Sequence, residues 1–515
     1  MFGVSAGGKV ATMNFETPGP ANRATKAEAH PPGPHRLDTD CVCAAQDQPP
    51  GHGSRGRVRV RSLDVPATGS TACEPCVEQP LTGTDRIEAL RSTLAAETEP
   101  LVALTHLLRL CREEHLMLQD VIDHPEMRAR VDCRLEPLRQ AMATGPSGDE
   151  LASRVRAELV CALDPADDVP PVLVANMMAQ MLDQYYGQTF GASFRRRGPY
   201  QPGVGDPVPL DSPDLPNLTE LTPTSPPWRL ANRSDETRRV RLAGEWAAQF
   251  RVIFDYSLAD LLTGVITSQS VVATCHPNRT LDELQFAAAK HGRTFPVRPA
   301  DDGRQREEIE RLLTATTQAG ATIVVLPELA VTAEIAEELR TWVTRSDGPA
   351  LLVAGSYHHQ EGDGRRRNTA VGWVRGRNTP LLHNKFSAAD QPVIEDIQPS
   401  AMPELRIYVT TDGWHLVIAI CRDLLNPNAV HALSEAGANL LLVPSMSETL
   451  VPFGGPTAQL VGAGQALVAV ANNPAQWRSN DLLKPERPAR ALFGHPASAN
   501  SYVLCNRSTA ARASR

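Results

Sequence analysis

Apolar positions change their period along this chain, and each change marks a boundary. Residues 1–80 are rich in Gly, Pro, Ala, Thr and charge, with little apolar periodicity, and read as a disordered tail. Residues 81–197 read as a helical domain. Ile87, Leu90 and Leu94, then Leu101, Leu104, Leu107 and Leu108, recur at the spacing of one helix face. Residues 172–182 form another amphipathic stretch, with Met177, Met178 and Met181 as adaptable core filler. Residues 198–234 read as a linker, because prolines at 199, 202, 207, 209, 213, 216, 223, 226 and 227 favour extended, polyproline-like backbone. Residues 235–292 read as a helical lead-in, with helical stretches at 242–250 and 258–262.

From 293 to 515 strand and helix signals alternate. Helices are expected at 306–319, 332–344, 427–436 and near 457–465. Strands are expected at 321–327, 350–357, 369–374, 380–383, 415–420, 439–443 and 466–471. This succession of βα units and hairpins predicts a layered α/β fold.

Composition narrows the function classes. At 515 residues the chain exceeds one ordinary domain core, and 42% hydrophobic residues supply at least one. A net charge of −8 gives no electrostatic footprint for nucleic acid. The runs Arg195 to Arg197 and Arg365 to Arg367 each sit beside glycine and read as solvated turns. No apolar run reaches the roughly 18 residues of a membrane span, so no membrane partner is expected. The N-terminus lacks a basic stretch followed by an apolar one, and the ten cysteines read as reduced thiols, so a cytoplasmic location is expected. Cys41, Cys43, Cys73 and Cys76, with His35 and His52 nearby, bring thiols in close pairs without an apolar framework around them. No metal is expected there.

Three polar residues close apolar runs. Glu328 ends the run from Ile323 to Pro327, at the strand end where α/β sheets place ligand chemistry. Lys385 closes 381–384, and Cys421 follows the run from Leu416 to Ile420 at a strand-to-turn junction. Alone, each has a bland reading: a strand-ending acid, a solvated cap, a small core thiol. Together they form a working set. Glu328 can accept a thiol proton, Cys421 can attack a carbonyl or nitrile carbon, and Lys385 can stabilise the negative charge that develops. His358 and His359, beside Gly362 and Gly364, read as a hairpin end rather than a metal site. His383 shares a face with Lys385 if its strand is regular.

The order Pro327-Glu328, Lys385, Ile420-Cys421-Arg422-Asp423 resembles the nitrilase, or carbon–nitrogen hydrolase, superfamily. Gly355-Ser356 with Asn368-Thr369-Ala370, the run 439–445, and 469–473 ending in Asn472-Asn473 resemble its supporting strands. The resemblance covers residues 293–500 and implies a four-layer αββα fold with Glu328, Lys385 and Cys421 as catalytic residues. It implies acyl transfer through a thioester at Cys421, the Arg422 N–H joining Lys385 at the oxyanion, and no metal or organic cofactor. Glu395 falls where many members carry a second active-site glutamate. Arg422 stands where many members have an aromatic residue, and a cation there lowers the thiol pKa or recognises an anionic substrate. The family's usual continuation begins at 493–496 and stops after 502–505, which bears on completion of the sheet and on a homo-oligomer built through it.

The leading expectation is therefore an amidase-type hydrolase acting on a small amide- or nitrile-type substrate. There is no Ser-Gly-Gly ATP loop of a glutamine-dependent synthetase. The alternative class is a regulatory protein whose helical region binds a protein partner and gates a hydrolase-like effector.

Overall fold

The computed structural model describes residues 10–14, 83–144, 149–164, 169–210, 237, 239–267, 270–390, 393–474, 489–496 and 501–505. All belong to one contact unit, residues 1–17 with 83–515, while residues 18–82 form a second that lies outside the described residues. The Cys41, Cys43, Cys73 and Cys76 thiols, His35 and His52 lie outside them as well. Among the described residues no cluster of His, Cys, Asp or Glu is placed to hold a metal, and no helix is long and apolar enough to cross a membrane.

The helical region is built as its periodicity predicts. It comprises α1 (Gly83–Ala96), α2 (Pro100–Glu113), α3 (His115–Val121), α4 (Pro125–Arg134), α5 (Glu136–Thr144), α6 (Ser153–Ala162) and α7 (Pro171–Arg196). Proline opens α2, α4 and α7, where its missing N–H would have had no helical partner. Leu101, Leu104 and Leu107 of α2 pack with Leu173, Met178, Leu182 and Phe190 of α7 in one buried core.

Two sheets carry the rest. The strands are β1 (Val10–Asn14), β2 (Pro207–Pro209), β3 (Val240–Leu242), β4 (Arg251–Asp255), β5 (Val271–Cys275), β6 (Leu284–Ala288), β7 (Thr294–Pro299), β8 (Ile323–Val325) and β9 (Leu351–Gln360). They continue with β10 (Arg366–Val374), β11 (Leu381–Asn384), β12 (Glu404–Val409), β13 (His415–Ile418), β14 (Leu440–Ser445), β15 (Leu467–Asn472), β16 (Ala491–Gly494) and β17 (Tyr502–Cys505). One sheet runs β1-β5-β8-β9-β10-β11 and the other β17-β16-β15-β14-β13-β12-β4. The centres are parallel, β5-β8-β9 and β13-β14-β15, and the flanking pairs are antiparallel except β12–β4, which is parallel.

Strand alternation separates the layers. Val272, Ile323, Val325, Leu351 and Val353 point from the first sheet into a core shared with the second. Their neighbours Ala273, Val324 and Leu352 point the other way, onto α10 (Asp302–Gln318), α11 (Ala333–Glu338) and α12 (Arg340–Thr344). On the far side of the second sheet lie α13 (Pro427–Glu435) and α14 (Gly454–Gly464), through Val430, Leu433 and Leu460. The result is the expected αββα stack.

Several segments differ from their sequence reading. Residues 235–292 are not a helical lead-in: α8 (Trp246–Gln249) and α9 (Ala259–Leu262) are single turns, while β4 and β5 enter opposite sheets and β6 opens a hairpin. Their apolar runs are too short to separate a buried strand from a helix by period alone. Within the 198–234 linker, β2 pairs with β3 and Tyr200 bridges Phe254, while 211–236 lie outside the described residues. Residues 10–14, inside the tail read as disordered, pair antiparallel with β5 from Val10 against Cys275 to Asn14 against Val271. The strand β12 has no counterpart among the expected strands. At the C-terminal end, β16 and β17 form a hairpin that completes the second sheet's edge.

The helical region is fastened to this stack. Arg112 donates to the carbonyls of Leu242 and Ala243 at 2.6 and 2.7 Å, and Val240 and Leu242 enter the helical core. Arg241 pairs with Glu435 of α13 at 2.7 Å. A chain starting at residue 293 lacks β4 and β5 and leaves the edges of β12 and β8 unpaired. It is expected to aggregate on gel filtration, whereas a chain starting at residue 83 is expected to elute as a folded species. A soluble 293–515 fragment with a cooperative melt would contradict this architecture.

Candidate active site

Three strand ends meet between the sheets. Glu328 lies just past β8, Lys385 directly after β11, and Cys421 just past β13. All are buried, at 2%, 2% and 4% exposure. The alternation along β11 is regular, so His383 and Lys385 both point inward while Leu382 and Asn384 point out.

The backbone explains how the ends hold their positions. Gly355 in β9 has φ +80°, and a Cβ there would collide with the Pro327 carbonyl oxygen. Only glycine lets the loop bearing Glu328 lie this close. Next to it, the Ser356 hydroxyl accepts the Leu329 N–H at 3.1 Å. Cys421 itself has φ +46°, a left-handed conformation that costs about 1–2 kcal/mol for a non-glycine residue. Asp423 holds that turn: it accepts the N–H groups of Ile420, Phe386 and Ser387 at 3.2, 3.1 and 2.8 Å. His383 also bonds Asp423, at 2.9 Å, so it braces the cysteine turn rather than Lys385. One carboxylate thus ties the cysteine turn to the chain just after Lys385.

At the centre, Lys385 Nζ donates to Glu328 Oε1 at 2.7 Å and to Glu395 Oε2 at 2.6 Å. Asn368 Nδ2 bridges the same two carboxylates at 2.9 and 2.8 Å. Glu328 Oε2 accepts the Met446 N–H at 2.9 Å, and the Cys421 thiol faces the Met446 carbonyl at 3.8 Å and the Ser445 hydroxyl at 3.5 Å. The structure therefore brings Glu328, Lys385, Cys421 and Glu395 together. Arg422 is half-buried, and its guanidinium pairs with Asp390.

The charges do not respond alike. Burial raises the Glu328 pKa, Lys385 opposes that rise, and the negative charge of Glu395 adds to it; the balance is upward. Burial acts the same way on Glu395, but Lys385 and the hydrogen bond from His358 outweigh it and hold that carboxyl far below its ordinary range. Two carboxylates compete for one ammonium, and the one with more donors keeps its charge. Burial would lower the Lys385 pKa, yet Glu328 and Glu395 raise it well above the lysine value. The Cys421 thiol is pushed up to about 12 by burial and by Glu328, against the pull of Lys385. A thiol in that state needs a base beside it to become a nucleophile.

Sequence reasoning misses two members of this network, placing Asn368 only in a hairpin and His358 at a hairpin end. His358 instead sits within β9, its Nε2 2.9 Å from Glu395 Oε1. Period-two alternation is the available signal, since it puts His358 on the same face as Ser356. A cavity of about 30 Å³ adjoins the carboxylates, lined in part by Phe286, Val297, Leu329, Val393 and Met446. It is roofed by residues of the β6–β7 hairpin.

Residues 287–469 match the family described as carbon-nitrogen hydrolase, a span of well under half the chain. A comparison with the curated proteins matches none of them. Among solved structures, an amidase from Nesterenkonia sp. is 19% identical, covering 39% of this chain and 79% of its own, with a TM-score of 0.30. A carbon-nitrogen hydrolase from Helicobacter pylori G27 is 14% identical, covering 40% and 82%, with a TM-score of 0.31.

Gly355→Ala is expected to cost about 2–3 kcal/mol, from the positive φ and the displaced Pro327 carbonyl. Urea unfolding measures it. A change under about 0.5 kcal/mol would show that the Glu328 loop does not depend on this close approach.

Proposed function

We propose that this chain, whose residues 287–469 match the carbon-nitrogen hydrolase family, hydrolyses a small amide through a thioester on Cys421. The arrangement of Lys385 carries the reading. An ammonium has three donors; two go to Glu328 and Glu395, which leaves the third for a substrate oxygen.

Each step uses groups within reach. Glu328 takes the Cys421 proton as the sulfur attacks the carbonyl carbon. The oxyanion is met by Lys385 Nζ and the Arg422 N–H, positioned by the left-handed turn at Cys421. Glu328 returns the proton to the leaving nitrogen, ammonia or an amine departs, and the thioester remains. Water then gives a proton to Glu328 and its hydroxyl to the acyl carbon. The acid leaves and the proton returns to sulfur. Glu395 stays ionised throughout and holds the lysine charge in place.

The cavity favours a short, uncharged acyl group. Its volume of about 30 Å³ holds only about one or two waters, and Phe286, Val297, Leu329 and Met446 give it apolar walls. Substrate access therefore requires the β6–β7 hairpin to move.

Two outcomes are expected. Cys421→Ala lowers hydrolysis of short aliphatic amides at least about 1000-fold, read by ammonia release, and an electrospray spectrum of the wild type shows the acyl adduct. Full activity in Cys421→Ala would eliminate this mechanism. The pH profile follows from Glu328. Its pKa lies above that of an ordinary glutamate, about 4.3, and only the ionised form accepts the thiol proton. Activity thus falls as pH drops through that raised value. Glu395→Gln removes one repelling charge and leaves Lys385 to Glu328 alone, so the acid limb of the residual activity moves to lower pH. An acid limb that stays put or moves upward would contradict the shared-lysine account.

A further inference from the structure

The β6–β7 hairpin does more than roof the cavity. Its Val297 N–H donates to His358 Nδ1 at 2.9 Å, and its Phe295 ring stacks on the imidazole with centroids 4.8 Å apart and planes 29° from parallel. The His358 side chain is fully buried. A backbone amide can only donate, so Nδ1 carries no proton and the remaining one sits on Nε2. Nε2 is 2.9 Å from Glu395 Oε1 and must donate to it.

Glu395 is thereby saturated. Oε1 takes His358 and Asn368, and Oε2 takes Lys385 and the Ala389 N–H at 3.0 Å. The hairpin holds the carboxylate by a second route as well. Thr294 N–H donates to the Ile394 carbonyl at 2.8 Å, and the Asp396 N–H returns to Thr294 at 3.1 Å.

We propose that His358 is a positioning residue that couples closure of the β6–β7 hairpin to the orientation of Glu395, and through it to the ammonium of Lys385. This rests on the hydrolase reading above. With the hairpin closed, the Val297 N–H fixes the tautomer that donates to Glu395. When the hairpin lifts to admit substrate, the imidazole loses both its stacking partner and the amide that set its proton. Glu395 Oε1 then keeps only Asn368 as a fixed donor, and the lysine is less firmly aimed. The ammonium is fully oriented only when the site is closed over its substrate, the arrangement in which water is also excluded.

The test compares three substitutions in the full chain: His358→Leu, His358→Asn and His358→Gln. Glutamine offers an oxygen to Val297 and an N–H that reaches Glu395. Asparagine has the same amide but too short a reach, and leucine has neither group. Hydrolysis of a short aliphatic amide and alkylation of Cys421 by iodoacetamide are followed together. His358→Leu and His358→Asn are expected to lower kcat about 10- to 100-fold, with KM changed less than about threefold and Cys421 alkylation altered in parallel. His358→Gln is expected to restore kcat to within about fivefold of the wild type. Should the leucine variant not fold, the asparagine–glutamine difference carries the same information. If all three variants match the wild type, or if glutamine is as impaired as asparagine, the positioning role is wrong while the hydrolase reading stands. If the wild type hydrolyses no amide and forms no acyl adduct on Cys421, the hydrolase reading fails and takes this role with it.

Discussion

A single ammonium, 1% exposed, sits between two carboxylates that are 2% and 5% exposed, and the surrounding structure is arranged to keep it there. Removing charges from water costs several kcal/mol per ion, so such a cluster depends on hydrogen bonds that meet its carboxylate oxygens. Asn368, His358, Met446 and Ala389 meet them from four different segments. The cluster carries two negative charges and one positive. That imbalance makes one carboxylate easy to protonate, and the donors around Glu395 decide that it is Glu328.

Much of this is legible in the sequence, and the reason is physical. A buried strand writes a continuous apolar run, and the polar residue that ends it stands out. Glu328, Lys385 and Cys421 are visible for that reason, and the strands leading to them lie within a few residues of their expected limits. The helical region is visible because helix faces repeat over many turns. Hidden from the sequence are groups whose importance is purely three-dimensional. His358 lies inside a strand and beside a second histidine, so its neighbours suggest a turn. Asn368 joins two carboxylates that are 40 and 27 residues away in the chain. β4, β5 and β12 are five- or six-residue runs, too short for period to separate strand from helix.

The segment that matches the family is smaller than the fold it belongs to. β4 and β5 precede residue 287 yet pair with β12 and β8 in different sheets, and β1 comes from the other end of the chain. Tyr200 and Phe254 exchange backbone hydrogen bonds at 2.9 and 2.8 Å, which covers the outer edge of β4 with chain from the end of the helical region. The helical region is therefore part of how the second sheet ends, and its hydrophobic core shares Tyr200 and Tyr256 with the two-sheet stack.

The burial of Cys421 bears on how the protein ages. Oxidants attack thiolates, and a thiol whose pKa is pushed up to about 12 holds almost no thiolate at neutral pH. At 4% exposure it also presents little surface to a dissolved oxidant. Cys133 and Cys161, by contrast, are exposed to solvent. Burial and a raised pKa together slow oxidation of the Cys421 sulfur relative to the exposed thiols.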